Sequence, residues 1–222
     1  YDIYWKSWDR RYKKVGFAYD RKGPVSGPVE KHCITFTKAR VQQAAIDALS
    51  ELLTTGGDDK TDKKIEKAIK HIEKSLAPEL WGCGSTLTKK GKKVFDEDKK
   101  AVKELKKIIK DKDADENVKN TAFEAIGYLI TANLGIASTA VDEAIEMAAE
   151  AGCNFEGKND HECKKTLKEI DKALKEMDKA QKELYHTKKD DDPDPKYDKA
   201  IDHYKKAWEH AQHAMKKLSK PE

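Results

Sequence analysis

No stretch of this 222-residue chain reaches the roughly eighteen consecutive apolar residues that a membrane-crossing helix needs. None of its four cysteines forms a C-x-x-C pair, which argues against thioredoxin-like chemistry, zinc knuckles and c-type haem attachment. There is no G-x-S-x-G turn to raise a nucleophilic serine, no P-loop and no G-x-G-x-x-G to cradle phosphates. Gly82-Cys83-Gly84-Ser85 resembles a nucleophile turn only superficially, because bridging accounts for its cysteine. There is also no N-x-Ser/Thr sequon, so glycosylation cannot serve as a marker of export. The chain opens at Tyr1 without methionine, which reads as a processed or trimmed chain from which any signal peptide has gone.

What is present is charge. Lys, Arg, Asp and Glu make up 39% of the residues against 37% hydrophobic, yet the apolar residues recur at helical spacing, so the chain reads as long amphipathic helices rather than disorder. The length suits one large helical domain or two small ones. The net charge of +4 is unevenly placed: residues 1–40 hold ten Lys and Arg against four acids, which leaves the remainder slightly negative. Bases and acids are interleaved along the helical body. A general nucleic-acid binder should show a basic helical face, and this body does not.

Residues 1–35 read as an extended aromatic and basic arm, carrying Tyr1, Tyr4, Trp5, Trp8, Arg10, Arg11, Tyr12, Phe17 and Tyr19 before Gly23-Pro24 and Gly27-Pro28 break any regular element. Helices then follow. The first runs over about 37–53, with Val41, Ala44, Ala45, Ala48, Leu49 and Leu52 on one stripe and Gly56-Gly57 stopping it. The second carries Ile65, Ala68, Ile69, Ile72 and Leu76, with Thr61 or Asp62 as its cap and Pro78 as its end. The third covers 95–110, with Val102, Leu105, Ile108 and Ile109 inward. Asp115 caps a fourth helix whose low charge over Phe123–Ile136 marks it as the central element, and Gly135 breaks it before a fifth over Thr139–Ala151. Helices over 161–186 and 195–218 form a charged hairpin around the run Asp190–Asp194.

The cysteines fall at hairpin ends. Cys33 precedes the first helix and Cys83 follows the second; Cys153 follows the fifth and Cys163 opens the next. The pairs 33–83 and 153–163 are therefore natural bridges, each stabilising by about 2–4 kcal/mol. The alternative is four reduced, buried thiols. The expected fold is all-α: a disulfide-stapled bundle of six or seven antiparallel helices, with the arm at 1–35, a helical domain at 36–157 and a hairpin at 158–222 packed on the same bundle.

Two stretches carry a resemblance: Ser75–Trp81 continuing into Gly91–Glu97 and Lys100–Leu105, and Tyr197–Ala211. Together they resemble uncharacterised helical modules of large extracellular archaeal and bacterial proteins, and the second is similar to the helical hairpin of FIMAH-type modules. The resemblance spans most of residues 36–217 and implies a cell-surface or extracellular setting without catalytic residues. The arm lies outside it, and Cys83 departs from the acidic, cysteine-free loop of that family.

Candidate chemistry is sparse. Asp111, Asp113 and Asp115 stand at alternate positions, as in a calcium loop, but Glu116 replaces the turn glycine and Ala122 the bidentate glutamate. A linker ending in a helix cap is the plainer reading of Asp111–Asn117. The run Asp190–Asp194 could hold a cation weakly, or be a solvated turn stiffened by Pro193 and Pro195. On the last helix, His203 and His210 are about 10 Å apart by helix rise, so only His210 and His213 could chelate together, with Glu209 nearby. Surface histidines are the plainer reading, and neither a metal site nor a cofactor is expected. The arm could bind polysaccharide, nucleic acid or an acidic surface by charge and stacking, insert into a neighbouring subunit, or wrap its own bundle. These readings converge on a non-enzymatic extracellular protein that self-associates into a surface layer or filament, with Tyr4, Trp5, Trp8, Arg10, Arg11, Tyr12, Phe17 and Tyr19 as contacts. The alternative is a secreted binding module for a glycan or divalent cation.

Overall fold

The computed structural model describes residues 38–55, 58–82, 86–154, 160–186 and 195–219. The arm contacts expected between Tyr4 and Tyr19, the Cys33–Cys83 pair and the Asp190–Asp194 run lie outside these residues. Six α-helices account for nearly all that is described: α1 Lys38–Thr55, α2 Asp59–Ser75, α3 Lys92–Ile109, α4 Glu116–Glu150, α5 His161–Leu184 and α6 Tyr197–Leu218. The all-α expectation holds.

Local chemistry explains the boundaries. The side chain of Asp58, rather than Thr61 or Asp62, caps α2 by accepting from the backbone N–H groups of Lys60 and Thr61. Between α2 and α3 the chain makes a 3-10 turn at Pro78–Leu80 and a single antiparallel bridge, Trp81 to Leu87. The Trp81 indole N–H there donates to the Ser75 carbonyl at 2.8 Å, filling an acceptor at the end of α2. Gly91 starts α3 where an added Cβ would stand 2.3 Å from the Leu87 Cβ, so no larger residue fits. Asp115 caps α4, as its position in the sequence predicts.

One expectation is overturned. The break at Gly135, with separate helices on either side, does not occur: α4 runs unbroken for 35 residues, about 52 Å. The buried positions Ile126, Leu129, Asn133, Ile136, Ala137, Ala140 and Ala144 continue at helical spacing straight through the glycine. A helix-interior glycine costs only about 1 kcal/mol relative to alanine, which apolar burial on both sides readily offsets. Helix α4 is central, packing against α1, α3, α5 and α6. Around it, α2 and α3 pair, α5 and α6 pair, and α6 also lies along α3. The core between them includes Leu49, Ile65, Ile72, Phe95, Leu105, Leu129, Ile170 and Ile201, with the Phe95 and Trp208 rings 6.0 Å apart.

Candidate functional site

The expected Cys153–Cys163 bridge is present, with Cα atoms 5.2 Å apart. Both of its ends are set by helix termini. Gly152 adopts φ +76°, the left-handed conformation that glycine takes without steric cost. The N–H of Cys153 then bonds the Ala148 carbonyl, and that of Gly152 the Ala149 carbonyl, forming a Schellman stop to α4. On the other side, Asp160 caps α5 by accepting from the N–H of Cys163. The bridge thus joins one helix end to the next helix start.

Asp111 does not face a cation loop. It pairs with Lys64 at 2.7 Å and Lys60 at 3.5 Å, while Asp115 serves as the cap of α4. Hydrogen bonding from Lys64 is the main cause that holds the Asp111 carboxyl down at about 2. The linker reading of this run is the one that fits.

The helices are clipped together by a recurring contact. His71 of α2 meets Glu97 of α3 at 2.6 Å, His203 of α6 meets Glu176 of α5 at 2.6 Å, and His210 of α6 meets Glu169 of α5 at 2.8 Å. In every case the same glutamate also binds the lysine three residues on: Lys100, Lys179 or Lys172. The α5–α6 pair of contacts is spaced seven residues apart on both helices, which returns each side chain to the same face after two turns. Partial burial pushes the Glu169 carboxyl up, but hydrogen bonds from Lys172 and His210 outweigh it and bring it down to about 2; Glu97 and Glu176 are lowered for the same reasons. Along the α3–α6 seam, Lys99–Asp202, Lys106–Asp198 and Lys205–Asp96 add three more ties.

Deep inside lies a polar node that periodicity alone did not single out. Asp98 of α3 is fully buried and accepts, on Oδ2, from the amides of Gln42 (2.6 Å, α1) and Asn133 (2.7 Å, α4). Gln42 also donates to the hydroxyl of Ser75, on α2, which donates to the Ile72 carbonyl. Four helices thus meet at one carboxyl. Burial pushes Asp98 up to about 7 against the opposing pull of Ser75, Asn133 and Gln42. The other oxygens of the set, Asp98 Oδ1, Gln42 Oε1 and Asn133 Oδ1, are buried without a donor. A protonated Asp98 brings one donor, its O–H, into this donor-poor set. The available signal in the sequence was a charged residue on the inward stripe of α3, between Phe95 and Val102.

His210 and His213, weighed as a chelating pair with Glu209, do converge, but on a different carboxylate. Glu169, from α5, completes a group whose ligand atoms all lie within 4.8 Å of one another. Helix spacing could not show this, because Glu169 arrives from another helix. Elsewhere on the surface Phe123 is 56% exposed and stands edge-on to Tyr197. None of the described helices is long and apolar enough to cross a membrane. No family model, curated protein or solved structure matches the chain.

Proposed function

We propose that this chain is a non-enzymatic extracellular structural protein, a self-assembling subunit of a cell-surface layer or filament in which residues 1–35 make the subunit contacts. The Cys153–Cys163 bridge carries the reading, since structural disulfides form and persist in oxidising, extracytoplasmic surroundings. The interhelical ion pairs support it too, since three ties along the α3–α6 seam and two along the α5–α6 seam suit a rigid building block. The resemblance to extracellular helical modules read from the sequence over most of residues 36–217 is in keeping with that setting. The arm contributes aromatic area and positive charge, and Tyr4, Trp5, Trp8, Arg10, Arg11, Tyr12, Phe17 and Tyr19 are its proposed contact residues.

The test compares the full chain with a variant lacking residues 1–32, which keeps Cys33. Negative-stain imaging and sedimentation at rising concentration should show polymers for the full chain and a folded monomer for the variant. A full chain that stays monomeric at high concentration, or a shortened one that still polymerises, removes the proposal.

A further inference from the structure

We infer that Glu169, His210 and His213 form a binding site for a first-row divalent transition ion of the zinc class. His210 and His213 lie three residues apart on α6, neighbours on one helix face, with their rings 6.5 Å apart and nearly perpendicular. Glu169 reaches them from α5, and the ligand atoms of all three lie within 4.8 Å of one another. Among the described residues, this is the group of His, Cys, Asp or Glu side chains that satisfies that geometry.

The carboxylate is already divided between two jobs. Its Oε1 is held by Lys172 at 2.8 Å and lies 3.7 Å from Lys217, while Oε2 faces His210 Nδ1 at 2.8 Å. Lysines anchoring one oxygen orient the other, the kind of outer support that metal-binding carboxylates require. Tetrahedral ligands about 2.0–2.1 Å from zinc stand about 3.4 Å apart, so ligand atoms that already lie within 4.8 Å of one another need only side-chain adjustment to share an ion. Glu169 Oε2 and His210 Nδ1, now 2.8 Å apart, must open slightly to admit the ion between them, and the exposed His213 is the side chain that swings in. Two imidazoles and one carboxylate favour zinc, copper or nickel over calcium or magnesium, and three protein ligands leave a coordination position for water.

The other two histidine–glutamate contacts provide an internal contrast. His71–Glu97 and His203–Glu176 share the geometry and the flanking lysine, but neither belongs to a three-ligand group. If the third contact were only another clip, it would bind zinc no better than they do. The inference is independent of the assembly reading, because it rests on α5 and α6 alone.

The experiment is calorimetric titration of Zn2+ into the full chain, bridge intact and without a histidine tag. Saturable binding of one ion per chain is expected, with affinity falling in His213→Ala and in Glu169→Gln by at least the roughly 10- to 100-fold that loss of an outer partner alone costs. His203→Ala should leave it unchanged. Because His213 is exposed, its variant should melt with the wild type, which separates ligand loss from misfolding. Cobalt(II) added to the wild type should develop visible ligand-field absorption that Zn2+ displaces and that His213→Ala lacks. Absence of saturable binding, or binding that survives His213→Ala intact, overturns the inference.

Discussion

Asp98 is where a single proton decides the most. Its pKa in the folded chain, about 7, stands above the ordinary 3.8, so the native state holds a proton that the unfolded chain has released. Stability from this group is therefore complete below about pH 4 and is lost as pH rises towards 7. The full effect is about 4 kcal/mol for a shift of this size, since the group is wholly buried. Asp98→Asn should remove that dependence. Its amide oxygen can keep the two donors now on Oδ2, and its amide N–H groups bring donors into a node where the Gln42 and Asn133 oxygens have none. Chemical denaturation should find the variant close to wild type at pH 4 and more stable at pH 8; a variant less stable at pH 8 would contradict the protonated-node account. Gly152 is the second residue of consequence. An alanine there must hold the left-handed conformation, which should cost about 1–2 kcal/mol in the same assay.

Helix α4 shows how an element is decided by its surroundings. Both interior glycines carry a second acceptor role: Thr131 donates to the Gly127 carbonyl and Ser138 to that of Gly135. A Cβ at Gly127 would meet nothing within 4 Å, and the position is exposed. Gly127→Ala should accordingly stabilise the chain by about 0.5–1 kcal/mol through lower backbone entropy in the unfolded state; a loss of stability would mean that the open face there is needed for packing. The joint between α4 and α5 depends on its bridge instead. With a sequence separation of 10, opening Cys153–Cys163 by paired serine substitutions should cost about 2–3 kcal/mol, read as a lower denaturation midpoint.

At the scale of the molecule, two opposed titrations meet. The clipped glutamates Glu97, Glu169 and Glu176 have lowered pKa values, so the stability they contribute is present above the ordinary carboxylate range and is lost as pH falls through their folded values, about 2 for Glu169. Asp98 acts in the other direction on the alkaline side. Stability should therefore peak near pH 5, and Asp98→Asn should flatten the alkaline limb while leaving the acid limb in place. A melting series from pH 2 to 9 checks both arms. Added salt should weaken the exposed ties more than the buried node, because screening acts on charges that water can reach.

The amino-acid sequence alone determined the all-α class, the position of most helices, the cap at Asp115 and the closure between Cys153 and Cys163. Each of these rests on local periodicity or on groups that are near one another along the chain. Where one helix had to be distinguished from two, as at Gly135, the local penalty was visible and the burial that overrides it was not. The same holds for the polar node and for the carboxylate opposite His210 and His213. Gln42, Ser75, Asp98 and Asn133 come from four helices, and Glu169 lies 41 residues from His210. Only the packing of the helices brings these groups within hydrogen-bond or ligand distance, so tertiary structure decided the chemistry that the sequence left dispersed.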